Sequence, residues 1–196
     1  INDKVQTSEL LDNRVCECCG TDAVVAEGEA VVIYRDRSED EMRDISVTAI
    51  GRTPKNCFAD NWKIEGCPVN GPSIDVEGDT FVAAWYTAPK NIPAVYVAFA
   101  ETPIKISESI LGRVDIVVIG KDTAAATWLI PNGETASVML ATVHSDGTIN
   151  EKEVVAQVSA SRASGFPRVA KVRGGILVAW TSLDRKNGIS AKFYAK

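Results

Sequence analysis

Apolar residues along this chain come in short runs separated by polar, turn-forming clusters, and several runs share one plan. A strand, a tight turn and an apolar strand with an aromatic residue recur at Val82-Ala83-Ala84-Trp85-Tyr86, Ala124-Ala125-Ala126-Thr127-Trp128-Leu129 and Leu177-Val178-Ala179-Trp180-Thr181. Val31-Val32-Ile33-Tyr34-Arg35 fits the same plan with Tyr34 in the tryptophan slot. The aromatic spacings are 51 (34 to 85), 43 (85 to 128) and 52 (128 to 180). Repeats of roughly 40 to 50 residues are the pitch of propeller blades.

The pieces within each repeat read as strands. Residues 74–76, 114–119 and 168–172 precede turns at Glu77-Gly78-Asp79, Gly120-Lys121-Asp122 and Arg173-Gly174-Gly175, where glycine and aspartate suit tight hairpins. Further runs rich in Val, Ile, Thr and aromatics follow at 45–50, 94–100, 136–143 and 189–194, the composition of half-buried strands. The tryptophan strands are apolar on both faces, as strands packed between neighbouring sheets are. Residues 104–111 come nearest to a helical period, and the stretch is short.

The class is therefore all-β. A β-sandwich is the competing architecture, but one aromatic per long regular repeat favours a β-propeller of four blade-like repeats. The repeats run approximately over 12–66, 67–111, 112–160 and 161–196, and residues 1–11 (4–11 in particular) are expected to supply an outer strand to the last blade. Two arrangements follow: a closed four-bladed ring, or an arc of a larger ring whose open edges favour self-association.

Composition narrows the function. Hydrophobic residues make up 45% and charged residues 24% of 196 positions, a globular balance. A net charge of −5 argues against a nucleic-acid partner. No apolar run approaches the ~18 residues of a membrane span. The chain begins at Ile1 in mid-pattern and reads as a piece of something larger.

All five cysteines, Cys16, Cys18, Cys19, Cys57 and Cys67, lie in the first third. Their density suits an oxidising compartment, the periplasm or cell exterior, while the odd count leaves at least one thiol without an internal partner. Disulfides pinning residues 56–68 onto the first repeat are one reading, and free buried thiols another. A soft-metal site of Cys16, Cys18, Cys19 and Cys67 is a third. The lone histidine, His144, sits at the edge of a turn and argues against Ser-His-Asp or Cys-His catalysis. No cofactor is called for.

Several longer stretches are distinctive: Leu11-Asp12-Asn13-Arg14-Val15-Cys16-Glu17-Cys18-Cys19, the acid- and arginine-rich run from Tyr34 to Ile45, and Asp60-Asn61-Trp62-Lys63-Ile64. Gly66-Cys67-Pro68-Val69-Asn70-Gly71-Pro72-Ser73, Gly112-Arg113-Val114-Asp115 and Arg162-Ala163-Ser164-Gly165-Phe166-Pro167 complete the set. Together they resemble the C-terminal portion of bacterial envelope proteins of the exo-α-sialidase-like, or BNR-repeat-like, group. The resemblance implies a six-bladed parent propeller of which this chain would hold about four blades. It does not imply an activity, because the group's label rests on fold.

Sialidases of that kind carry Asp boxes, S-x-D-x-G-x-T-W, and here only Ser145-Asp146-Gly147-Thr148 looks like a worn version, with no tryptophan after it. Their chemistry needs an arginine clamp for a carboxylate and a tyrosine activated by a glutamate, and spacing identifies no such tyrosine–glutamate pair. Arg113 and Arg162 sit before innermost strands, with Asn70 and Asp22 at related places. An axial ring of Asp22, Asn70, Arg113 and Arg162 would hold an anionic or hydroxyl-rich ligand, or would only anchor loops between blades. Arg35 and Asp36 are expected nearest the mouth. The expected partner is a glycan or an envelope protein. Alternatives are a hydrolase active only when complete, and a thiol-dependent metal-binding protein.

Overall fold

The computed structural model describes residues 8–182 and 188–195. Among them, fifteen strands form four antiparallel sheets, each a meander of chain-consecutive strands. The first is β1 (Asp22–Ala26), β2 (Glu29–Arg35), β3 (Ile45–Ala49) and β4 (Lys55–Phe58); the second is β5 (Ser73–Glu77), β6 (Thr80–Thr87), β7 (Ala94–Phe99) and β8 (Thr102–Glu108). The third is β9 (Gly112–Gly120), β10 (Thr123–Asn132), β11 (Thr135–His144) and β12 (Glu153–Ser159); the fourth holds β13 (Arg168–Val172), β14 (Gly175–Ser182) and β15 (Gly188–Ala195). The only helices among the described residues are single 3-10 turns at Pro89–Asn91 and Arg162–Ser164, and none is long or apolar enough to cross a membrane. This is a blade-repeat β-propeller.

Local sequence explains the blades. Val172 pairs with Gly175 across a two-residue turn in which Gly174 takes φ 83°, a left-handed conformation open to glycine at little cost. Within β6, alternate residues serve opposite faces: Val82 and Ala84 pack toward the third sheet, while Ala83 and Trp85 pack toward the first. β10 repeats the device, with Ala124, Ala126 and Trp128 on the second-sheet side and Ala125 and Leu129 on the fourth-sheet side. Apolar strands on both faces are thus the cores between blades. Trp85 and Trp128 are fully buried. The stretch 104–111 is strand β8 and the turn after it. Pairing with β7 imposes a period of two on the residues whose spacing came nearest to a helical one.

Innermost strands have a free edge that must be managed. Carboxylates do so here. Asp22 Oδ2 accepts the Ile74 N–H at 3.0 Å, Asp75 Oδ2 the Val118 N–H at 2.7 Å, and Asp115 Oδ2 the Val169 N–H at 2.7 Å. Each of the first three blades therefore grips the innermost strand of the next.

Of the segment expected to complete the last blade, residues 1–7 lie outside the described residues. Residues 8–11 form no strand, and Glu9 instead accepts the Gly51 N–H (3.2 Å to Oε2) beside the first sheet. On the fourth sheet Ile189 and Phe193 are exposed.

Candidate functional site

The segment between the first and second blades carries Asn70, which lies at the centre of a polar network. Its Oδ1 accepts the Arg113 N–H at 2.8 Å, and its Nδ2 donates to the carbonyls of Leu111 (3.1 Å) and Pro68 (3.2 Å). Its own carbonyl accepts from Arg35 Nε at 3.0 Å. Arg113, the second residue of β9, has φ 56°, a strained conformation for a residue with a side chain. Its guanidinium donates to Ser164 Oγ and to the carbonyls of Gly165 (3.2 Å) and Ala160 (3.5 Å) in the turn that carries Arg162. Burial, and then the positive charge of Arg162, push Arg113 below the usual arginine value.

Asn70, Arg113, Arg162 and Phe166 line one cavity of about 210 Å³, with Val69 and Leu111 as apolar wall. Among the described residues no carboxylate forms an ion pair with Arg113 or Arg162. Two adjacent cations without a counter-charge, beside a half-exposed aromatic ring, make a surface suited to an anion with an apolar or sugar face.

The structure places the other sequence-selected residues elsewhere. Asp22 opens on a separate axial groove of about 420 Å³ lined by all four innermost strands, including Ser73, Asp115 and Arg168. There Ser73 Oγ lies 3.0 Å from both Asp22 Oδ2 and Asp115 Oδ1. Arg35 lies inside the protein rather than at a mouth. It is 1% exposed, it donates to the carbonyls of Asn70, Arg43 and Tyr86, and it stacks over Trp62 at 5.1 Å. Asp36 bridges to Val15 and accepts the Arg37 N–H at 2.6 Å; burial raises its carboxyl pKa.

The cysteine loop hooks onto the end of β2, where the Cys16 N–H donates to the Arg35 carbonyl and the Cys19 N–H to the Cys16 carbonyl, both at 2.9 Å. Cys18 and Cys67 form a disulfide, while Cys16, Cys19 and Cys57 are free thiols. Cys16 Sγ stands 2.9 Å from Cys19 Sγ and 3.7 Å from Cys18 Sγ. The Cys19 hydrogen bond, with Arg43 and Arg35 nearby, brings the Cys16 thiol down to about 6 against the effect of burial. The same bond and burial push Cys19 up. Cys57 sits apart on β4.

One pair escaped the spacing argument: Tyr194 OH donates to Glu153 Oε1 at 3.0 Å. It joins β12 and β15, away from the axis, and burial raises the phenol's pKa, the opposite of nucleophile activation. The worn Asp box forms the turn after β11, closed by the Thr148 N–H on Asp146 Oδ1 at 2.8 Å. Sequence reasoning passed over Phe166, Ser73 and Asp115. Phe166 had a signal, since it is a large apolar residue inside the Arg162 to Pro167 run that the resemblance had already singled out.

No family model and no curated protein matches the chain. Solved structures do match in fold. A thermostable family-43 glycoside hydrolase aligns with a TM-score of 0.50 at 9% identity, covering 90% of this chain and 71% of its own. The fucose-specific lectin from Aleuria aurantia, described as a six-bladed β-propeller, gives 0.51 at 11%, covering 94% and 65%. The subtype N11 neuraminidase-like protein of A/flat-faced bat/Peru/033/2010 gives 0.51 at 11%, covering 93% and 56%. The chain thus spans between about half and seven-tenths of these proteins. Identities this low speak to the propeller fold alone.

Proposed function

We propose that this chain is a glycan-binding propeller whose ligand carries a carboxylate, held at the cavity of Asn70, Arg113, Arg162 and Phe166. The observation that carries this reading is the pair of guanidiniums converging on one cavity with no carboxylate partner among the described residues. Arg113 is preset by the turn that holds it, and the exposed Arg162 guanidinium, with no side-chain hydrogen bond among the described residues, provides donors. Phe166 offers a flat apolar surface of the kind sugars stack on, and Asn70 fixes the wall. The likeness in fold to a fucose-specific lectin and a glycoside hydrolase agrees with a sugar as the neutral part.

Calorimetric titration with sialyl- and uronyl-terminated oligosaccharides tests this. A charge-assisted contact contributes about 1.5–3 kcal/mol, so Arg162→Ala weakens binding by roughly 10- to 100-fold. Binding should also weaken with salt. Equal affinity of wild type and Arg162→Ala for every acidic sugar would sink the assignment. Turnover of a fluorogenic sialoside by the purified chain would replace binding with hydrolysis.

A further inference from the structure

The sulfur cluster touches that cavity through Asn70 and Arg35, and it carries its own chemistry. Cys16, Cys18 and Cys19 place three sulfurs within 4.8 Å of one another. Three ligands about 2.3 Å from a central soft ion stand about 4 Å apart, which falls inside that spread. The surroundings are cationic. Arg35 and Arg43 are both buried, and both act on Cys16 electrostatically. Among the described residues Arg35 forms no ion pair with a carboxylate and donates to the carbonyls of Asn70, Arg43 and Tyr86, and Arg43 has one carboxylate, Glu41 at 2.6 Å, with its buried Nε unpartnered. Buried guanidiniums without full counter-charge are costly, and anionic sulfur beside them restores the balance. Thiolates select soft cations, and second-sphere donors tune such a site.

We propose that Cys16, Cys18 and Cys19 form a three-thiolate site for a monovalent soft ion, copper(I), and that Cys67 gates it. In the disulfide state Cys67 holds the Cys18 sulfur and the site lacks its third ligand. A dithiol reductant transfers two electrons and two protons to the Cys18–Cys67 bond and itself becomes a disulfide. Copper(I) then displaces one proton from each of the three thiols. Cys67, an exposed residue, is left as a free thiol. Cys57, on β4, takes no part.

The test uses the full chain under anaerobic conditions with copper(I) delivered from a chromogenic bidentate competitor. Reduced protein is expected to take one equivalent and show thiolate-to-copper charge-transfer absorption, while the unreduced protein takes none. Cys67→Ser should bind without any reductant, which a merely structural disulfide would not predict. Cys57→Ser should bind like wild type, and Cys16→Ser or Cys19→Ser at least 100-fold more weakly. Should those two variants fail to fold, alkylation of the reduced wild type read by mass spectrometry decides instead. Protection of Cys16, Cys18 and Cys19 by copper(I), with Cys57 and Cys67 still reactive, supports the site. Absence of uptake, protection of Cys57, or protection of all four clustered cysteines overturns it.

Discussion

At Gly112 the backbone turns left-handed with φ 82°, and a Cβ there would lie 2.4 Å from Asn70 Oδ1 and 2.8 Å from a Tyr86 ring carbon. Gly112→Ala therefore combines backbone strain with a clash against the residue that positions Arg113, a cost of about 2–3 kcal/mol. The melting temperature should fall by roughly 4–12 °C, and binding of acidic sugars should weaken with it. Gly66→Ala is the control, because its Cβ meets only Ile64 at 3.8 Å. The Gly112-Arg113 pair was legible in the sequence as the start of a repeat. Its contact with Asn70 was not, because it joins residues far apart in the chain whose meeting depends on how two blades pack. Arg35 illustrates the reverse. A charged residue ending an apolar strand reads as a mouth residue, and only the carbonyls of Asn70, Arg43 and Tyr86 with the Trp62 ring make its burial tolerable.

Between elements, the acidic grip on neighbouring innermost strands has a pH signature. Ser73 Oγ stands 3.0 Å from an oxygen of Asp22 and from one of Asp115, and its single hydroxyl proton serves one of them at a time. Burial raises the Asp115 carboxyl, against the Val169 N–H, Arg168 and the Ser73 hydroxyl, which all favour its charge. A carboxyl raised in the folded state adds stability that is full below its unfolded value of about 3.9 and is lost as pH rises through the folded value. Asp115→Asn keeps an acceptor for the Val169 N–H but cannot titrate. Urea midpoints at pH 7 and pH 4.5 should show wild type gaining on the variant at the lower pH, and a constant difference would remove the claim. The strands themselves were unevenly legible. Apolar β6, β10 and β14 announce themselves, whereas β4 and β12 are largely exposed and β8 begins with Thr102 and Pro103. An outer strand packs little of its surface, so its sequence carries little pattern.

Across the whole molecule, each sheet depends on its neighbours, and stability is set by the sheets and the interfaces between them. The fourth sheet has three strands among the described residues, with Ile189 73% and Phe193 52% exposed. Hydrogen exchange should therefore find the amides of β14 and β15 opening at lower free energy than those of β6 and β10. Uniform protection across all four sheets would refute this. The repeat pitch showed in the sequence because Trp85, Trp128 and Trp180 each pack between neighbouring sheets, while Tyr34 keeps the slot and bonds to Asp12. The pairing of residues 8–11 did not, because that polar segment follows Glu9 to Gly51 rather than an apolar pattern.

The Cys18–Cys67 bond spans 49 residues and encloses the entire first sheet. Closing a loop of that length restricts the unfolded chain by about 4 kcal/mol, and no cysteine exists beyond Cys67 to do the same for later blades. Within residues 1–196 the staple thus sits on the first sheet alone, which sets that sheet apart from the fourth in unfolding. Fraying starts in the fourth sheet and runs back toward the first while the bond is intact. Cutting the bond loosens the first sheet and leaves the fourth as it is, so the redox state of one pair of sulfurs sets how far the two ends differ in resistance to opening.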